Sequence, residues 1–145
     1  MAEKRPQSYA HHTRWLPAWH FFAFPMLGLN ALWSLVGLRN GPTLEVLFDI
    51  GVALALLVVV GLVRVSPLTV QDRLIRLEER LRMERLLPDD LKARLDELTL
   101  QQFIALRFAS DGELEALTRK ALDEKAEPKA IKQAIQSWRP DHQRV

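Results

Sequence analysis

The stretch "YAHHTRWLPAWHFFAFP" (9–25) holds His11, His12 and His20, three of the chain's four histidines. Imidazole is the commonest protein ligand for a transition metal, so the first question is whether these rings can converge. His11 and His12 are adjacent, which in a helix turns their side chains about 100° apart. His20 follows Pro17, a residue that interrupts regular helix, so a shared ligand set would require the chain to fold back. The chain has no cysteine, hence no thiolate nucleophile, thiolate metal site or disulfide. No metal or cofactor is expected from this set. A bilayer surface explains the same residues without special geometry, because Tyr9, Trp15, Trp19 and His20 each combine an apolar body with a polar tip. Arg14 adds attraction to anionic headgroups. The five form a candidate interfacial anchor.

Catalytic chemistry has weaker candidates. Ser66, Ser110 and Ser137 lack the strand–turn–helix pattern of a nucleophile elbow, and the carboxylates fall where helices need caps and ion-pair partners. "LRFASDGEL" (106–114) gathers Arg107, Ser110 and Asp111 at a helix junction, the best surface for function outside the N-terminal segment. Its competing use is structural, with Ser110 as a cap and Phe108 in a core. A net charge of only +2 and the lack of a Gly-rich phosphate loop argue against a nucleic-acid partner and a nucleotide substrate. We expect a protein that is not an enzyme and has no small-molecule substrate.

The elements that position these residues follow from an uneven distribution of charge. At 145 residues the chain has room for about one domain, 48% hydrophobic and 26% charged. Yet between His20 and Val63 the only charged residues are Arg39, Glu45 and Asp49. "HFFAFPMLGLNALWSLVGL" (20–38) is uncharged, and at about 1.5 Å per residue it would cover roughly 28 Å, a bilayer's hydrocarbon thickness. "VLFDIGVALALLVVVGLV" (46–63) is nearly as long, with Asp49 close enough to its start to reach the interface. A cleaved signal peptide fits the first run poorly, since a long segment precedes it and "GLRNGP" follows in place of a small-residue cleavage site. The connector "RNGPTLE" (39–45) is short and turn-forming, so the spans form an antiparallel hairpin. Lys4, Arg5, Arg14, Arg64, Arg73 and Arg76 flank the hairpin against Arg39 in the connector, which puts both termini in the cytoplasm. Asn30, in mid-span, needs a polar partner, and Gly51 with Ala55 gives a small-xxx-small face; these three are the candidate packing residues of the spans.

Residues 64–145 read as successive short helices. Ser66-Pro67 predicts an entry turn, and "TVQDRLIRLEERLRMERLL" (69–87) an amphipathic helix capped by Thr69 and ended by Pro88. Val70, Leu74, Leu77 and Leu81 form its apolar stripe. Its other face is rich in arginine, and the spacing predicts ion pairs Asp72–Arg76 and Glu78–Arg82. Arg73, Arg76, Arg80 and Arg107 are the candidate contacts to lipid headgroups or a partner. Beyond Pro88 the pattern predicts a short helix in "PDDLKARLDELTL", another capped by Thr99, a third opened by a Ser110–Glu113 capping box and carrying Leu114, Leu117, Ala121 and Leu122, and a last one starting at Pro128. Helices this short must pack on one another. The leftover stripe on the 69–87 helix then seeks a coiled-coil partner, either a second copy or another protein.

Three segments, "YAHHTRWLPAWHFF", "LTVQDRLIRLEERLR" and "ALRFASDGELEAL", followed by "EPKAIKQAIQSWRPDHQRV", resemble a family of small two-span bacterial membrane proteins known only as a domain of unknown function. The resemblance covers nearly the whole chain. It carries His12, Arg14, Pro17, His20, Gln71, Asp72, Arg73 and the run Leu106 to Ser110; Gly112 stands where the family has an acidic residue, and His11 where it has Asn. It implies a bacterial inner-membrane protein and no particular activity.

The expectation is an all-α protein: a cytoplasmic interfacial segment (1–19), a transmembrane hairpin (20–63) and a small cytoplasmic helical bundle (64–145). Its partners are the lipid bilayer and either another protein or a second copy. The function that follows is a membrane-tethered adaptor or assembly factor, the alternative being an accessory subunit of a transport or respiratory complex.

Overall fold

The computed structural model describes Tyr9 and residues 15–141. His11, His12 and Arg14 lie outside the described residues. The described chain is helical with no strand, and its only extended pairing is one antiparallel bridge between Ala109 and Trp138. The described residues divide into two compact units, one of residues 15–68 and one of residues 69–141.

In the first unit a π-helical turn, Ala18–Ala23, runs directly into α1, Phe24–Val36, and a 3-10 turn, Gly37–Asn40. The wide turn has a local cause. Pro25 lacks the N–H that would continue the i→i−4 ladder, and just before it Phe24 donates to Trp19, five residues back. The helix stops at Gly41, whose φ of 101° lies in the left-handed region that a side chain resists. Thr43 then accepts the amide of Val46 through Oγ1 (3.3 Å), and α2, Leu44–Leu86, begins.

Within this unit α1 and the start of α2 pack antiparallel. At one end the Trp19 indole donates to the Val60 carbonyl at 3.1 Å. At the other, a Cβ on Gly37 would come 3.1 Å from the Val46 side chain, a close approach that a larger residue could keep only if Val46 shifted by a few tenths of an ångström. Ala53 and Val60 are the buried hydrophobic residues here. Leu27, Val46, Ile50 and Leu57 are half-buried and most of the other apolar side chains are exposed; both helices, Ala18–Asn40 and Leu44–Leu86, are long and apolar enough to cross a membrane.

The expected turn at Ser66-Pro67 does not form, and Thr69 caps nothing: α2 continues through Pro67 for 43 residues. Proline forfeits one backbone bond and crowds the Val63 carbonyl, a cost of about 3 kcal/mol that the long hydrogen-bonded ladder on either side absorbs, although the flanks themselves are rich in Val, Ser and Thr. The helix ends at Leu86, just before Pro88, as the sequence predicts.

In the second unit the last turns of α2 pack with four short helices: α3 (Asp89–Lys92), α4 (Leu100–Leu106), α5 (Asp111–Asp123) and α6 (Pro128–Ala134). The expected helix in "PDDLKARLDELTL" is split into α3 and a 3-10 turn, Leu95–Glu97. Thr99 caps α4 as expected, in a full capping box with Gln102. Leu114, Leu117, Ala121 and Leu122 of α5 are all buried, and Pro128 opens α6. With Met83, Phe103, Phe108 and Ile131 they form one core.

The Ser110–Glu113 capping box is absent. Ser110 takes the N-cap backbone conformation without a side-chain bond. Glu113 instead accepts the amides of Gln136 (3.3 Å) and Ser137 (3.0 Å). The chain leaving α6 thereby returns against residues 108–110, where Ser110 donates to the Ser137 carbonyl and Arg139 donates to that of Phe108.

Candidate functional site

The segment of α2 after Thr69 has two faces with different chemistry. Its inner face carries Ile75, Glu79, Arg82 and Met83, all buried. Arg82 donates from Nη1 to Glu79 (2.9 Å), from Nη2 to the Ala109 carbonyl (2.8 Å) and from Nε to Asp111 (2.9 Å). Arg139 completes the set with a 3.1 Å bond to the other oxygen of Glu79. Two charges taken out of water are tolerable here because each has several directed partners. The Arg82 hydrogen bond and charge also hold the Asp111 carboxyl below its ordinary range.

An open cavity of about 660 Å³ lies beside this network, lined among others by Glu78, Arg85, Arg107 and Asp141. Arg107 is buried, with its guanidinium 4.4 Å from the centre of the Phe108 ring and 3.4 Å from Asp141. Expected as a contact to lipid or a partner, Arg107 has its planar cation inside the bundle, over a core aromatic ring and beside a carboxylate. Arg82 was expected on a solvated face, paired with Glu78. Neither that pair nor Asp72–Arg76 is among the ion pairs of the described residues.

The outer face presents Val70, Leu74, Leu77 and Leu81, each between 52% and 66% exposed. Arg73 and Glu78 flank this stripe in solvent. Arg76 is exposed too and lies 5.8 Å from the centre of the Phe103 ring. Arg80 turns to its own bundle, bonding Glu84 (3.2 Å) and Asp96 (2.6 Å).

In the other unit the N-terminal aromatic residues form a cluster. Trp15 is 60% exposed and stacks on Phe21 at 5.9 Å between centres. His20 lies between Trp15 and Trp19 with Nδ1 2.9 Å from the Leu16 carbonyl. Trp19 does not point its indole N–H outward; that group is bound to Val60. Asn30 shares an open groove of about 480 Å³ with Ser34, Asn40 and Asp49. Gly51 and Ala55 are exposed, and a Cβ at Gly51 would meet nothing within 4 Å, so this small face does not pack inside the hairpin.

The full length of the chain, residues 1–145, matches a family of unknown function, DUF6526. The chain belongs to DUF6526. No curated protein and no solved structure matches it. What a DUF6526 chain offers for recognition therefore has to be read from its own surfaces, and sequence reasoning missed the residue that organises them. Arg82 lies three residues after Glu79 on the stripe that also holds Ile75 and Met83. The coincidence of a charged pair with a core-facing stripe was the available signal.

Proposed function

We propose that this DUF6526 chain is a two-span protein of the bacterial inner membrane that acts as a tethered adaptor or assembly factor through its cytoplasmic bundle. One observation carries the membrane reading. The helix Ala18–Asn40 has none of its most apolar window buried and Leu44–Leu86 only 11%. A soluble protein's core helix would be mostly covered, whereas this hairpin exposes Phe21, Phe22, Trp33, Phe48 and a succession of leucines and valines. Lipid is the solvent that suits such a surface. The excess of Lys and Arg on the segments flanking the hairpin supports cytoplasmic termini, and the small packed bundle with an uncovered apolar stripe supports a binding role.

A second reading has its own observation. Gly51, Ala55 and the groove of Asn30 and Asp49 stay uncovered within the hairpin, a surface suited to the helices of a larger complex. The chain would then be an accessory subunit of a transport or respiratory assembly. Affinity purification in mild detergent separates the two. An adaptor loses its partners when residues 69–145 are deleted, and an accessory subunit keeps a stoichiometric complex. Recovery of the intact protein in the supernatant after lysis and ultracentrifugation would overturn both.

A further inference from the structure

We propose that the stripe Val70, Leu74, Leu77 and Leu81 is a homodimer seam, paired in parallel with the same stripe of a second copy. The proposal rests on the tether reading above and names the partner of its α2 segment.

The spacing is the first argument. Intervals of four, three and four residues are those of alternating d and a positions of a heptad, the repeat that keeps a seam facing its partner along a left-handed supercoil. These side chains are exposed in one chain, while the bundle is packed on the opposite face by Ile75, Met83 and Leu87. Covering the seam therefore requires no rearrangement of the core. The uncovered apolar area is on the order of a few hundred Å² per copy, the size of patch that marks an interaction site.

Charge chooses the occupant and its direction. With Leu74 and Leu81 at a, Arg73 takes a g position and Glu78 the e position of the next heptad. A parallel pair of identical helices sets each g residue against the partner's e residue five positions on, so Arg73 meets Glu78 of the other copy twice over. Among the described residues neither has an ion-pair partner in its own chain. The next such pairing would set Arg80 against Arg85, and here the bundle intervenes. Arg80 is drawn to Glu84 and Asp96, and Arg85 donates to the Leu81 carbonyl. An antiparallel pair would place g against g and bring arginine to arginine. Copies inserted in one bilayer with the same orientation also present their helices in parallel, and confinement raises the effective concentration of a seam only two heptads long.

The chain has no native cysteine, so one introduced thiol reports on its own position. Full-length Leu77→Cys in native membranes, oxidised with copper phenanthroline, is expected to form a disulfide dimer far faster than Glu115→Cys, a position exposed on α5. Leu74→Cys should behave like Leu77→Cys. A cross-link that forms only when the two variants are mixed would show antiparallel pairing and overturn the proposal. Arg73→Glu, which leaves the bundle's own contacts untouched, should slow the Leu77→Cys reaction about 5- to 10-fold, and adding Glu78→Arg should restore it. No effect of Arg73→Glu, or a rate no higher than the Glu115→Cys control, overturns it. So does a Leu77 thiol shielded from alkylation but unable to cross-link, which means that lipid or a different protein covers the stripe. Sedimentation is scored on the same samples. Absence of the cross-link in membrane-bound protein sinks the dimer and leaves the tether standing, whereas protein in the supernatant sinks the tether whatever it cross-links.

Discussion

Replacing Arg82 with methionine tests the energetics of the buried network directly. Methionine fills a similar volume and removes the cation, which leaves Glu79, 5% exposed, with only Arg139 as a charged partner. It also strips the Ala109 carbonyl and Asp111 of their bonds to Arg82. Breaking a buried pair by removing one member costs about 3–5 kcal/mol. The lower end applies, because the Asp111 side chain is 67% exposed and recovers water, and Arg139 continues to hold one oxygen of Glu79. Stability of the bundle should therefore fall by about 3 kcal/mol, a large share of what a domain of this size possesses. Hydrogen exchange read by mass spectrometry on peptides of α5 in the full-length protein gives the opening free energy without interference from the apolar hairpin. The double variant Glu79→Leu with Arg82→Met removes both charges together. It should lose much less than the sum of the single changes, since an apolar replacement of a whole buried pair is often close to neutral. If Arg82→Met alone shifts the α5 opening energy by under about 0.5 kcal/mol, a surface-like effect, or if the two changes simply add, the network is not what closes the bundle.

Acid should loosen the same region. The folded-state pKa of Asp111 is depressed, so its stabilising contribution is complete above the ordinary carboxyl range near pH 4 and is lost as pH falls through the lower folded value. Asp111→Asn should flatten the dependence of α5 exchange on pH below about 4. In the hairpin, Trp19→Phe keeps an aromatic ring but deletes the bond to Val60 and the pyrrole half of the indole, which should cost at least about 1 kcal/mol and lower the temperature at which the detergent-solubilised protein loses its helical circular dichroism.

Local rules located most of the bundle. Thr99, Pro88 and Pro128 punctuate helices through backbone chemistry that acts within one turn, and the spacing of Leu114, Leu117, Ala121 and Leu122 marks a face that a short helix can only bury. The failures lie where a distant group competes. Glu113 had the right spacing for Ser110 but took the amides of Gln136 and Ser137, which no local pattern reveals. Pro67 had the signature of a stop, yet one lost hydrogen bond did not break a helix 43 residues long. Gly51 and Ala55 advertise close approach without saying by what, and the hairpin packs on Gly37, Ala53 and Val60 instead. Of the four arginines singled out, Arg73 and Arg76 are on the surface, Arg80 is held by its own bundle and Arg107 lies inside. Charge alone could not sort them, since a guanidinium with a ring and a carboxylate beside it is as compatible with an interior as with water.

Arg139 reaches Glu79 from sixty positions later in the chain. During synthesis the helix carrying Glu79 and Arg82 is complete long before its last counter-ion exists, and Asp111 and the carbonyl of Ala109 arrive in between. Glu79 and Arg82 can pair with each other within their helix at once, but the full network waits for the end of the chain. A nascent chain therefore carries two charges of its future interior on a finished helix before Asp111, the Ala109 carbonyl and Arg139 exist to surround them.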